Sequence, residues 1–283
     1  KTIVKDWLYQ LLNPEYAIAR SPKSYNSQIG VPLSVWQIAP HNNLAIIEAG
    51  ISTTNEMAAL ANIIQPSIGV LTNIKTAHAE GFQDKAEKLA EKLKLFTNCK
   101  QVIIPLDYVP DSLVTNNAFT WSALKPADLS ITAVQKENQY SVITATYLQQ
   151  KCSIRIPFVD DAAVENAITC WAVMLAMGYN QQVISTRFTT LPAIQMRLEL
   201  KQGIHQTSII NDSYSADGYN RLIHRCDASH SIRRNDHGPR RQGRLVKNGC
   251  AIYVIRHNRR RSSRDRRLIH CRDTGHGIGH DSQ

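Results

Sequence analysis

A chain of 283 residues with 43% hydrophobic content can bury one large core or two modest ones. No apolar run approaches the roughly 20 residues of a bilayer span, and no basic stretch followed by an apolar one opens the chain, so neither a membrane anchor nor a secretory leader is expected. The six cysteines, Cys99, Cys152, Cys170, Cys226, Cys250 and Cys271, lack C-x-x-C spacing, which argues against a zinc site or a disulfide framework and fits a reducing cytoplasm.

In chain order, Thr2 to Leu12 reads as an amphipathic helix stopped by Asn13-Pro14, and LAIIEAG (44 to 50) as a short buried strand ending in Gly50. A second helix is expected from about Thr54 to Ile64, capped by Thr53 or Thr54 and ended by Pro66. SIGVLTNI (67 to 74) is an apolar, β-branched run of strand length. Asp84 to Phe96 reads as a Lys/Glu-rich helix leading into the strand QVIIP (101 to 105). Helices alternating with strands imply a parallel sheet covered on both faces.

The texture then changes. DLSITAV, YSVITATYL and CSIRIPF alternate apolar and polar residues, which suits an antiparallel hairpin or small sheet. Val164 to Met177 returns to a helix ending at Gly178, and Gln181 to Phe188 predicts another. The expected fold is α/β: a mostly parallel, P-loop-type sheet with helices on both faces, plus a small antiparallel sheet.

The net charge of +10 belongs to the last part of the chain: residues 218–283 carry 16 Lys+Arg against 5 Asp+Glu, residues 1–217 17 against 18. That tail uses 15 Arg and a single Lys, has no Glu, and shows neither a helical nor an alternating apolar period. An abrupt change of residue usage together with lost periodicity points to a tail translated out of frame and disordered. The competing reading is a disordered arginine-rich arm that binds RNA or DNA.

Several residues sit where chemistry is expected. Lys1-Thr2 opens a helix in the manner in which a phosphate-binding G-x-x-x-x-G-K-[ST] loop ends, with backbone N–H groups cradling phosphates, the lysine reaching the outer ones and the hydroxyl on Mg2+. Glu48 ends a buried strand, where an open parallel sheet places its ligand crevice, and a carboxylate there suits a second position on Mg2+. A solvated strand-end glutamate is the bland alternative. His78 follows the next strand at the equivalent edge, although a lone histidine is more often structural. Lys92 reads as a solvated surface lysine, and Asn166, Arg197 and Asp212 are ordinary in isolation, Asp212 again following an apolar strand.

Taken together, SPKSYNSQIGVPLSVW (21 to 36), EAGIS, TNIKTAHAEGF, EKLKLF, the VENA helix, MRLE and NDSYSAD resemble the Mur ligases in order and spacing over residues 1–217. The resemblance implies an ATP-dependent, Mg2+-requiring amide ligase of the bacterial cytoplasm, acting as a monomer without membrane or nucleic acid. It implies UDP-N-acetylmuramoyl-tripeptide and D-alanyl-D-alanine as the substrates joined, through an acyl phosphate. Lys1 would then lie on the phosphates and Thr2 and Glu48 on one Mg2+, His78 on a second, with Lys92 as a carbamylated metal ligand. Asn166 would contact adenine, Arg197 the phosphates and Asp212 the ribose, while Asn26 and Ser27 would face the precursor.

Departures from the family pattern are equally plain. The loop glycines before Lys1 are not in this chain, Ala162 and Ala163 replace a His-Asn pair, and GYNRLIHRCDASH follows NDSYSAD where a third domain is expected. The expectation is a central ATP-binding domain (1–217) with its P-loop truncated at the start, inactive by itself. Sibling ligases, including folylpolyglutamate-type enzymes, are the alternative within the enzyme class.

Overall fold

The computed structural model describes residues 1–73, 85–194, 199–202, 208–211 and 252–257. Helix α1 (Thr2–Leu12) forms because Val4, Trp7, Leu8, Leu11 and Leu12 recur on one face, all buried, and it stops at Asn13, whose N–H donates to the Tyr9 carbonyl at 2.9 Å before Pro14. Strand β1 (Ile18–Arg20) and helix α2 (Gly30–Trp36) are short elements that the apolar pattern did not announce. Strand β2 (Leu44–Ala49) is buried at every position.

Helix α3 (Glu56–Ile64) starts two residues later than expected. Neither Thr53 nor Thr54 caps it: Asn55 holds the cap position in a left-handed conformation, and the Glu56 carboxylate accepts the N–H groups of Ser52 (2.5 Å) and Thr53 (3.0 Å). The orphan N–H of Met57 in the first turn is met from a distant segment, donating to Glu91 Oε1 at 3.1 Å, so that carboxylate stands in for a hydroxyl cap. Strand β3 (Ile68–Leu71), helix α4 (Lys85–Leu93), a 3-10 turn (Lys94–Phe96) and β4 (Gln101–Pro105) follow.

Strands β5 (Ala118–Ser122), β6 (Leu129–Lys136), β7 (Ser141–Tyr147) and β8 (Gln150–Ile156) lead to helix α5 (Asp161–Ala176), whose cap is Asp160, accepting from the Ala163 N–H at 2.7 Å. Helix α6 (Gln181–Phe188) is capped in the same way by Asn180. The hairpin of β9 (Glu199–Gln202) and β10 (Ser208–Asn211) is antiparallel. Within the tail, read from its composition as disordered, Ile252–His257 forms a strand, β11.

The described strands make a nine-stranded sheet in the order β1-β2-β11-β3-β4-β5-β6-β7-β8, and β9 and β10 make a two-stranded one. β1 and β2 are parallel, as are β3 through β6, while β7 and β8 extend the same sheet as antiparallel strands. β11 runs antiparallel to both β2 and β3 and lies between them. Its IYVI run is an apolar, β-branched stretch of the tail, and in this slot it pairs with both β2 and β3.

Both faces of the sheet are covered. Leu44, Ile46, Val70 and Ile103 pack with α1, α5 and α6 around Trp7 and Trp171, whereas Ala45, Ile47, Val102 and Ile104 pack with α3, α4 and the 3-10 turn. This alternation along continuously apolar strands is what a two-sided parallel sheet requires, and each fully buried Leu or Ile contributes about 1.5–3 kcal/mol. Gly69 is a point of close approach: a Cβ there would collide with the ring of Phe96. The 3-10 turn can therefore lie flat against β3.

Candidate active site

Glu48 is the penultimate residue of β2 and fully buried, so its carboxylate has to be satisfied by the protein or by a ligand. Thr2, on the first turn of α1, donates its hydroxyl to Oε2 at 3.1 Å, and the Asn26 amide donates to Oε1 at 2.8 Å. The Lys1 ammonium stands 3.9 Å from Oε1. Gly50 makes room for this convergence, since a Cβ on it would sit 3.1 Å from Lys1 Nζ and 3.4 Å from the Asn26 amide.

The segment carrying Asn26 is fastened to β2 at both ends. The Ser21 N–H donates to the Ile46 carbonyl (3.0 Å), the Glu48 N–H donates to Ser21 Oγ (2.9 Å), and the Gly50 N–H donates to the Asn26 carbonyl (2.8 Å). A third attachment comes from Lys5, 1% exposed, whose ammonium donates to the carbonyls of Ser21 (2.9 Å) and Lys23 and pairs with Asp6 at 3.4 Å. Burial pulls the Lys5 pKa below its ordinary value, with Asp6 and Glu48 opposing the shift. Lys5 was not singled out from the sequence, although the signal was there: it precedes Leu8 by three and Leu12 by seven, on the apolar face of α1.

The sequence-expected residues therefore divide. Lys1, Thr2, Asn26 and Glu48 come together. Ser27 does not join them; its hydroxyl accepts from the Gly30 N–H at 3.2 Å and its carbonyl from the Val31 N–H at 2.9 Å, starting α2. Lys92 is fully buried on α4, as is its neighbour Glu91 (2% exposed), which overturns its reading as a surface lysine. Asn166 lies on α5, 8% exposed. His78, Arg197 and Asp212 lie outside the described residues.

Two further polar residues were missed. The Asn73 amide, two positions beyond β3, donates to Glu165 Oε2 at 3.0 Å, and the other oxygen of that carboxylate is buried with no hydrogen-bond partner. Glu165 lies within VENA but was passed over for its neighbour, because nothing in the sequence marks which of two adjacent helical residues faces the strand ends.

A hard divalent cation such as Mg2+ keeps several waters and takes one or two carboxylates beside substrate phosphates. Glu48 with the Thr2 hydroxyl fits that donor set. Among the described residues no group of three or more His, Cys, Asp or Glu is placed to cage a metal with protein ligands alone. The N-terminus of α1 adds a partial positive charge beside Lys1, so the site suits phosphate oxygens.

Residues 1–174 match the Mur ligase middle domain. The chain belongs to the Mur ligase family. UDP-N-acetylmuramoyl-tripeptide--D-alanyl-D-alanine ligases of Bacillus subtilis and Borreliella burgdorferi are each 25% identical to it, over 221 and 229 residues that make up 76% and 77% of this chain and 48% of each relative. Among solved structures, MurF from Acinetobacter baumannii superposes with a TM-score of 0.67 at 20% identity, covering 75% of this chain and 48% of that one. MurF from Thermotoga maritima in complex with ADP gives 0.64 at 18% identity, over 75% of this chain and 50% of that one. This Mur ligase chain thus spans about half the length of the curated relatives it matches.

Proposed function

We propose that residues 1–217 are the ATP-handling middle of a ligase that joins D-alanyl-D-alanine to UDP-N-acetylmuramoyl-tripeptide in the bacterial cytoplasm. The observation that carries this reading is the convergence of Lys1, Thr2 and Asn26 on the buried Glu48 at the carboxyl ends of parallel strands. The choice of substrates rests on the relatives' names and on the SPKSYNSQIGVPLSVW segment.

In this reading the ammonium of Lys1 and the N–H groups opening α1 hold the outer phosphates of ATP. The terminal carboxylate of the tripeptide attacks the γ-phosphorus, ADP leaves, and an acyl phosphate forms. The amine of D-alanyl-D-alanine then attacks the acyl carbon and phosphate departs. Such a reaction needs alignment and positive charge more than a protein nucleophile. Bound Mg2+ would supply charge stabilisation on the transferring phosphoryl group, held by Thr2 and Glu48. His78 and a carbamylated Lys92 would hold a second ion, Asn166 would contact adenine, Arg197 the phosphates and Asp212 the ribose. Asn26, already on Glu48, would link the precursor-facing segment with Ser27 to the metal carboxylate.

The chain by itself is proposed to bind ATP without turnover. Calorimetric titration with Mg·ATP should show saturable binding, and absence of binding overturns the reading. Phosphate release by the restored parent ligase, offered D-alanyl-D-alanine, meso-diaminopimelate, L-lysine or glutamate with the matching acceptor, UDP-N-acetylmuramoyl-tripeptide for the first, tests the substrate. Release with only a pair lacking D-alanyl-D-alanine overturns that assignment.

A further inference from the structure

We infer that Glu165 selects the nucleobase of the bound nucleotide, its free carboxylate oxygen accepting the exocyclic amine of adenine. This rests on the nucleotide-binding reading above and deepens it. Three elements bring complementary chemistry to one place at the carboxyl edge of the sheet. Asn73, beyond β3, fixes Glu165 Oε2 at 3.0 Å and so sets the plane of the carboxylate. Oε1 is buried and has no hydrogen-bond partner, an arrangement that costs stability unless a donor arrives.

Tyr108, three residues beyond β4 and 40% exposed, has its pKa raised by burial first and then by the hydrogen bond and charge of the Glu165 carboxylate, which its hydroxyl therefore borders. Its ring thus belongs to the surroundings of that carboxylate. An acceptor, an amide and a ring suit a flat heterocycle carrying an N–H donor. The location is consistent with a nucleotide whose phosphates are at Lys1: β11 separates β2 from β3, so the two strands lie two sheet spacings apart, about 10 Å. Glu165 is also on the first turns of α5, a 16-residue helix that holds it rigidly at this edge.

Inosine triphosphate differs from ATP at the deciding atom: it presents a carbonyl oxygen where adenine presents the amine, and would set that oxygen against Oε1. The full 283-residue chain is therefore titrated with ATP and with inosine triphosphate, each with Mg2+. The wild-type chain should prefer ATP by about tenfold or more, the discrimination expected when a polar group is left unpaired by the wrong ligand. Glu165→Ala should bring the two affinities together, chiefly by weakening ATP. Glu165→Gln, whose one oxygen stays on the Asn73 amide so that its NH2 takes the place of Oε1, should abolish or invert the preference for ATP.

A ratio unchanged in Glu165→Ala, with ATP still bound, overturns the assignment while leaving the nucleotide site standing. No binding of either nucleotide to the wild-type chain removes the nucleotide reading and this inference with it. The ratio of two affinities within one variant does not move with a general loss of stability, and Glu165→Gln serves should the alanine variant fold poorly.

Discussion

Thr2 and Glu48, 46 positions apart, meet through a 3.1 Å hydrogen bond that ties the start of α1 to the end of β2. Thr2→Val keeps the shape and removes the donor, leaving a buried carboxylate oxygen unpaired. The expected loss is about 1–3 kcal/mol of unfolding free energy, read from urea denaturation, and weaker Mg·ATP binding. Unchanged stability would show that solvent or another donor replaces the hydroxyl.

Lys5 is a buried cation whose folded-state pKa lies below the ordinary 10.5. The unfolded chain therefore binds this proton more tightly than the native one, so the penalty of burying the charge is full below the folded pKa and is relieved as pH rises towards 10.5. Compared with Lys5→Met, the wild-type protein should gain stability through that window. At neutral pH the variant loses the ties to Ser21 and Lys23, and faster amide exchange is expected at residues 21–26.

Gly69 leaves no room for a methyl group against Phe96. Gly69→Ala should cost about 1–3 kcal/mol by overpacking, and combining it with Phe96→Leu should recover part of that loss. Chemical denaturation of the two single variants and the double variant checks the coupling. Strict additivity would mean that the 3-10 turn moves away freely.

Arg187 on α6 pairs with Glu15 just beyond α1, and its hydrogen bond is the main cause of the lowered Glu15 pKa, with Tyr179 adding a smaller one. A depressed carboxylate pKa contributes stability that is present above the unfolded value of 4.5 and lost as pH falls through the folded value. Arg187→Met should flatten the acid limb of the stability profile near pH 4.5 with little change in its slope near neutrality. The pair is partly solvent-exposed, so the effect should also shrink with added salt.

Much of this arrangement is legible in the linear sequence because it depends on local periodicity. The apolar face of α1, the two-sided strands β2 and β4, and the alternating strands β6 to β8 announce themselves by spacing alone, since each buries a repeating set of side chains. β1 and β5 are different. They are held by neighbouring strands rather than by a pattern of their own, and three to five residues carry too little period to be read.

For the site, the sequence by itself determined which residue types stand at strand ends and helix starts: Lys1, Thr2, Glu48 and the asparagines. Only the tertiary structure decided which of them meet. Asn26 proved to be a ligand of Glu48, Lys92 a buried residue, and Glu165 the holder of an unpaired oxygen beside Asn73. The physical reason is that burial and hydrogen bonding depend on contacts between segments far apart in the chain. A lysine on a charged helix and a lysine in a core look alike until the neighbouring helix and strand are in place.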